Sequence, residues 1–194
     1  MAIQERRERQ RAERHQRIVE AARAIAEAEG WAAVTTRRLA ERIEYSQPVL
    51  YGHFPGGKEA ISSAVALQGF GELADRLGAG VAAAPDPAAG LVAMAEAYLR
   101  FAEENAAVYE AMFTMPSELT FAAPETPPAL QAGFQVLRDT LGAATGETDL
   151  AVRTELAWST LHGLATLTAA RRVRPEDART RLDLLVAQWQ ATHT

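Results

Sequence analysis

The sequence predicts an all-α fold, and three observations carry that expectation. Alanine, leucine, glutamate and arginine dominate the 194 residues. Apolar residues recur at three- and four-residue spacings, and valine, isoleucine and threonine almost never alternate with polar residues as a half-buried strand requires. With 48% hydrophobic residues the chain can bury a core, which excludes disorder as its main state. The chain has no cysteine, which removes disulfides and thiolate metal sites. No apolar run approaches a membrane span and the opening stretch, MAIQERRERQRAERHQR, has no apolar signal core; a cytoplasmic chain without a membrane partner is expected.

The first helix is expected over 5–29. Arg6, Arg7, Arg9, Arg11, Arg14 and Arg17 charge its first half, and an apolar stripe starts only at Ile18, continuing through Ala22, Ile25 and Ala26. The first dozen residues are therefore either a frayed helical extension or an arm. Gly30 supplies the stop and Trp31 a core anchor. A second helix of about two turns starts near Thr36, capped by Thr35 or Thr36, with Leu39, Ala40 and Ile43 on one face. The third opens at Ser46-Gln47-Pro48, where the serine hydroxyl can cap and a first-turn proline is tolerated because those amides lack intrahelical partners. It turns Leu50 and Phe54 inward and ends at Pro55-Gly56-Gly57. Lys58 opens a long fourth helix, whose stripe of Ile61, Ala64, Val65, Phe70, Leu73 and Leu77 lasts until Pro85-Asp86-Pro87. Further helices are expected over 88–105, 106–115, 129–145, 149–172 and 175–192, while 116–128, with four prolines, reads as a loop.

The net charge of −5 divides unevenly along this string of helices. Residues 1–60 hold eleven Lys/Arg against nine Asp/Glu, and the remainder nine against sixteen, which puts the positive end at the N-terminus, where phosphate contacts are useful. The stretch Thr35–Lys58, TTRRLAERIEYSQPVLYGHFPGGK, reads as two short helices joined by a tight connection, the second with a polar and partly small outer face. That is a helix-turn-helix pattern, whose second helix fits a major groove about 12 Å wide. The expected organisation is a three-helix helix-turn-helix DNA-binding domain over 1–60 followed by a helical ligand-sensing and dimerisation domain over 61–194.

The same stretch resembles the DNA-binding domain of the TetR family of regulators. The resemblance rests on Gly30, Thr36 with Leu39-Ala40, Ser46, Leu50-Tyr51-Gly52-His53-Phe54 and Lys58-Glu59, and it covers residues 18–65. Two departures stand out. Glu44 replaces the turn glycine usual in the family, so the backbone there must avoid positive φ or strain into it. The doubled glycine of Pro55-Gly56-Gly57 lengthens the link to the fourth helix. Far downstream, Trp158-Ser159-Thr160-Leu161-His162-Gly163-Leu164 looks like the Trp-His-Gly signature of one C-terminal branch of that family. The resemblance implies a repressor that binds double-stranded operator DNA as a homodimer and is released by a small-molecule effector; no cofactor and no metal are expected.

Chemistry assigns roles within that frame. Arg37, in the first turn of the second helix, can reach a guanine edge or a phosphate bidentately. Gln47, Pro48 and Val49 open the recognition helix and face base edges: glutamine pairs with adenine, and the apolar pair meets a thymine methyl. Tyr51, His53, Thr36, Ser46 and Lys58 are placed for phosphates. His53 has no second histidine or carboxylate at metal-ligand spacing. In the second half, Phe101, Tyr109, Met112, Phe113, Phe134, Leu137 and Trp158 are candidates to line an effector cavity or to be plain core. His162, one turn after Trp158, either bonds a ligand or satisfies a buried neighbour. Leu182, Leu185, Val186 and Trp189 form an apolar stripe. With the small-residue seam of Ser159, Gly163, Thr166 and Ala170 it suggests a four-helix interface between two subunits. The fourth helix is expected to act as the lever between effector and DNA, with Gly56-Gly57 as its hinge.

The competing function is an enzyme. The chain lacks a Gly-rich phosphate loop, GxSxG and HExxH, and its histidines are scattered, so catalysis is not expected. A helical small-molecule-binding protein with weak or no DNA binding is the other alternative, and Glu44 in the turn is its only hint.

Overall fold

The computed structural model describes residues 2–117, 119–120, 123–146 and 148–191. Among these residues there are nine α-helices and no strand: α1 (Ala2–Glu29), α2 (Thr36–Ile43), α3 (Gln47–His53), α4 (Gly57–Ala82), α5 (Pro87–Glu104), α6 (Ala106–Phe113), α7 (Pro128–Thr145), α8 (Leu150–Ala169) and α9 (Ala178–Ala191). Short 3-10 turns at Trp31–Ala33 and Pro175–Asp177 precede α2 and α9. The chain packs as two units, the first made of Met1–Gly69 and Asn105–Thr120, the second of Phe70–Glu104 and Phe121–Thr194.

The first unit is built on the stripe that begins at Ile18. Ile18, Val19, Ala22, Ile25 and Ala26 of α1 are buried together with Trp31, Val34, Leu39, Ile43, Leu50, Phe54, Ile61 and Val65. The stretch before Ile18 is helical from Ala2 onward, and Ile3–Arg17 is exposed throughout, so of the two expectations for this segment the helical extension holds. Gly30 ends α1 with φ 80, a conformation only glycine adopts without strain.

Helix α6 belongs to this unit although it lies far along the chain. The Glu27 carboxylate accepts the Ala107 and Val108 backbone amides, each at 3.1 Å, and so satisfies two of the open N–H groups at the start of α6. Arg23 donates to Asn105 Oδ1 at 2.8 Å, and the Trp31 indole donates to the Ala107 carbonyl at 2.8 Å. Gly69 permits the close approach of α4 to α6: a Cβ there would run into Val108 Cγ1 and come within 2.8 Å of Met112 Sδ.

In the second unit, Leu91, Met94, Ala95, Tyr98 and Phe101 of α5 are buried, as are Leu137 and Leu141 of α7, Leu161 of α8, and Leu182, Leu185 and Val186 of α9. The buried hydroxyls of Thr140, Thr145 and Thr154 bond back to the carbonyls of Val136, Leu141 and Leu150, so the apolar interior contains no orphan donor at these sites. Arg76 pairs with Glu104 at 2.5 Å and lies 5.3 Å from the centre of the Phe101 ring. Helix α8 stops at Ala169, three residues before the expected end. Arg171 takes φ 53, and the Arg172 amide closes back onto the Leu167 carbonyl at 2.8 Å.

Candidate nucleic-acid interface and effector residues

Helices α2 and α3 owe their positions to a few local features. The Thr35 hydroxyl accepts the Arg38 amide at 3.2 Å, which decides between the two candidate caps of α2. Leu39, Ala40 and Ile43 turn into the core. The helix ends at Glu44, which takes the left-handed conformation (φ 57, ψ 37), while the Tyr45 amide closes onto the Ala40 carbonyl at 3.0 Å. The chain therefore strains into positive φ where a glycine would rest. An L side chain there costs about 1–2 kcal/mol, and the turn survives because Leu39, Ile43 and Leu50 are anchored on both sides of it. Ser46 precedes α3 in extended conformation, but its hydroxyl makes no capping bond. The proline at position 48 has no amide to offer, and the Val49 amide is taken by the Ser46 carbonyl at 3.0 Å.

Leu50 and Phe54 are buried, which leaves Ser46, Gln47, Pro48 and Tyr51 exposed on one outer face, with Val49, His53 and Thr36 half-buried at its margins. Arg37 stands beside this face, 82% exposed, paired with Glu41 at 3.0 Å. A surface pair of this kind holds about 0–1 kcal/mol and yields readily to a stronger partner. Its neighbour Arg38 is tied to both carboxylate oxygens of Glu29. Lys58 differs from the other candidates: its ammonium points to the Trp31 carbonyl at 2.5 Å, bracing the turn after α1. Gly57, at the other end of the link, has φ +61. A proline there is incompatible with the fold, since its ring holds φ near −65°.

The structure also joins residues that spacing alone kept apart. His15 of α1 stacks on Phe54 at 4.4 Å and its ring lies 6.4 Å from that of His53. Burial and the neighbouring charges of Arg11, His15 and Arg14 hold His53 below the usual imidazole range, and burial with Arg11 does the same to His15. Arg17 donates to the Tyr45 hydroxyl at 2.9 Å and sits over its ring. A helix carries its exposed charge and its buried stripe on different turns here, so the first half of α1 gave no periodic signal that it reaches α3.

The effector candidates divide between the two units. Tyr109, Met112 and Phe113 lie on α6 in the first, where the Tyr109 and Phe113 rings meet at 4.7 Å. Phe101, Phe134, Leu137, Trp158 and His162 lie in the second. Phe101 and Leu137 are buried outright, whereas Phe134, Trp158 and His162 are half-buried. Trp158 donates its indole N–H to the hydroxyl of the fully buried Tyr98 at 3.2 Å, a partner that sequence reasoning missed because Tyr98 sits in an unbroken apolar stripe. Burial lowers the pKa of His162 and favours its neutral form.

The expected interface helices are arranged differently from their sequence pattern. Leu182, Leu185 and Val186 of α9 are buried within their own unit, with Trp189 half-buried. Their stripe serves the subunit core, because α9 has only one strongly apolar face and that face meets its own unit. The uncovered apolar residues are Val152 (58% exposed), Leu156 (63%) and Leu167 (44%) on α8 and Leu184 (67%) on α9. Val152, Leu156, Ser159, Gly163, Thr166 and Leu167 fall on one arc of α8, opposite the buried Leu150, Thr154, Ala157, Leu161 and Ala165. Gly163 faces open space, and the hydroxyls of Ser159 and Thr160 bond back to the Glu155 and Leu156 carbonyls.

These features define an all-helical helix-turn-helix protein with a second helical unit. Residues 18–65 match the family described as bacterial regulatory proteins, tetR family, and residues 91–189 match a family described as tetracyclin repressor-like, C-terminal domain. The chain belongs to the TetR family of bacterial regulatory proteins. It is 35% identical over 94 residues to YobS of Bacillus subtilis (strain 168), an uncharacterized HTH-type transcriptional regulator; the match spans about half of each protein, 48%. Among solved structures it is similar to a protein of unknown function from Rhodococcus sp. RHA1, with TM-score 0.72 and 23% identity over 93% of this chain and 95% of that one. It is also similar to the TetR family transcriptional regulator PfmR from Thermus thermophilus, with TM-score 0.59 and 24% identity over 88% and 97% of the two chains. At these identities the structural matches speak for the fold. Among the described residues no helix is long and apolar enough to cross a membrane.

Proposed function

We propose that the chain is a cytoplasmic, non-enzymatic transcriptional regulator that binds double-stranded operator DNA as a homodimer and is released from it by a small-molecule effector. The outer face of α3 carries this reading: Ser46, Gln47, Pro48 and Tyr51 are exposed while Leu50 and Phe54 fix the helix from behind. Gln47 and Pro48 then read base edges with Val49 at the margin, Arg37 takes a guanine or a phosphate, and Thr36, Ser46, Tyr51 and His53 hold the backbone. Lys58 is a brace in this scheme.

Binding a two-fold operator requires a partner subunit, and the uncovered arc of α8 supports one. Val152, Leu156, Gly163 and Leu167 with Leu184 of α9 are its proposed contacts, and Thr166 lies beside them. For the effector, Trp158 and His162 with Phe134 are the proposed contacts, half-buried on the second unit; the Trp158-His162-Gly163 pattern is the reason to place the chain in the Trp-His-Gly branch. Release then runs through α4, whose residues up to Gly69 belong to the first unit and whose remainder belongs to the second, and through α6, which Glu27 holds to α1. An effector that favours the DNA-incompetent form must bind operator-bound protein more weakly, by the same factor that it weakens DNA binding.

Fluorescence anisotropy on a pool of genomic fragments, followed by footprinting of the retained ones, tests the reading. A two-fold protected site with half-sites about 34–36 Å apart is expected. Failure to bind any duplex at low salt would favour a ligand-binding protein without DNA function.

A further inference from the structure

The helical extension Ala2–Arg17 lies outside the matched DNA-binding segment, and its charge is not random. Six arginines stand against three glutamates over these residues. Arg7, Arg11 and Arg14 follow one another at the four- and three-residue spacings that align side chains on a helix, and the same line continues into His15 and Ile18. His15 rests on Phe54 and approaches His53 at the end of α3, so this arginine line starts beside the recognition helix and leads away from it. Arg11 and Arg14 both lie near enough to act on the His53 imidazole. Glu8 sits at the edge of the line with Gln4 donating to it at 3.3 Å, and the arginines outnumber it.

We propose that Arg7, Arg11 and Arg14 form a second DNA contact, a helical outrigger that grips the phosphate backbone flanking the half-site read by α3. The inference rests on the DNA-binding reading above. From Arg7 to Arg14 the line spans about 10 Å, equal to about three base pairs of duplex, so it can meet neighbouring phosphates of one strand beside the half-site. Duplex DNA is the partner the charge fits. Ile3 is the sole large apolar residue among the exposed positions 3–17, which gives a lipid surface nothing to take up, whereas guanidinium groups in a row suit phosphates bidentately.

The test compares two charge-matched variants, R7Q/R11Q on this line and R6Q/R9Q on the other side of the same helix, on a mixed-sequence duplex of about forty base pairs over a salt series. Glutamine keeps helix propensity close to that of arginine, and circular dichroism reads the helix content of each variant. R7Q/R11Q is expected to flatten the slope of log affinity against log salt by roughly 1.8 for each subunit, R6Q/R9Q by less than half of that, and R7K/R11K is expected to keep the wild-type slope. Equal slopes for wild type and R7Q/R11Q, equal losses for the two glutamine pairs, or a loss with R7K/R11K would overturn the outrigger while DNA binding by α3 stands. A wild-type protein that binds no duplex at low salt would overturn both.

Discussion

Helices α3 and α8 each bury one face in their own unit and leave the other uncovered, and the uncovered faces are opposite in kind. That of α3 offers the amide of Gln47, the hydroxyls of Ser46 and Tyr51 and, from α2, the guanidinium of Arg37. Water satisfies such a face at no cost, so its significance lies in shape and hydrogen-bonding pattern. That of α8 offers Val152, Leu156, Gly163 and Leu167, for which water is a poor partner at about 25 cal/mol per Å² of apolar surface. A helix apolar on both sides is ordinarily covered on both sides. The difference teaches that the two exposed faces differ in chemistry, that of α3 suited to the polar polymer and that of α8 to the second apolar surface which the proposed function assigns them.

The sharpest way to break that comparison is to place charge on α8. Leu156→Glu alters a residue that is 63% exposed in the chain, so the fold should survive; it is expected to dissociate the proposed dimer and cut operator affinity at least a hundredfold, worth about 3 kcal/mol. Sedimentation equilibrium reads the first effect and anisotropy the second. Leu185→Glu is the contrasting variant. Leu185 is 6% exposed within its own unit, so the added charge is expected to unfold that unit, which loss of helical circular dichroism would report. A Leu156→Glu protein that stays dimeric would move the interface elsewhere.

On the α3 side, Arg37→Ala is expected to weaken specific operator binding by about 1–3 kcal/mol with unchanged melting temperature, because the Glu41 pair it gives up is a surface pair. Glu27→Ala removes the carboxylate from the α6 amides and is expected to lower stability by about 1–3 kcal/mol, with effector release impaired beyond that loss if α6 carries the signal. Glu44→Gly should act in the other direction, raising stability by about 1 kcal/mol in a thermal melt by relieving the φ of 57.

The sequence was legible where one face of a helix is buried and breakers mark its ends. The stripe from Ile18 to Ala26, the stop at Gly30 and the break at Pro85-Asp86-Pro87 all appear in the structure within a few residues of expectation. The polar strip of α3 was legible for the same reason, since Leu50 and Phe54 define its back. The fate of Leu182, Leu185 and Val186 was not, because an apolar stripe packs equally well against its own chain or a copy of it. What remained hidden were pairings between residues far apart in the chain. Glu27 with the start of α6, Arg23 with Asn105, Gly69 against Val108 and His15 against Phe54 leave no periodic trace, because each depends on how two helices meet.

The smallest expected effect concerns acid, and it compares the two units directly. His15 and His53 in the first unit and His162 in the second all have pKa values below the unperturbed 6.5, the first two through burial and neighbouring positive charge, the third through burial alone. Depressed imidazole values mean that the unfolded chain takes up protons before the folded one as pH falls through 6.5. Stability attributable to these groups is therefore fully present above 6.5 and is lost on acidification until the folded imidazoles protonate as well. The carboxylate of Glu29, held below its usual value of 4.5 by Arg38, obeys the same sign but acts only at lower pH. Thermal melts between about pH 7.5 and 5.5 thus isolate the histidines, and the melting temperature is expected to fall with acidification. His15→Gln should flatten the fall through the first unit, since it also removes a positive neighbour from His53, and His162→Gln through the second. If the two variants flatten it equally, burial is the common cause. A larger effect from His15→Gln would assign the excess to repulsion among Arg11, Arg14 and the two imidazoles. A wild-type melting temperature that rises on acidification would show that the net sign of the three shifts is wrong.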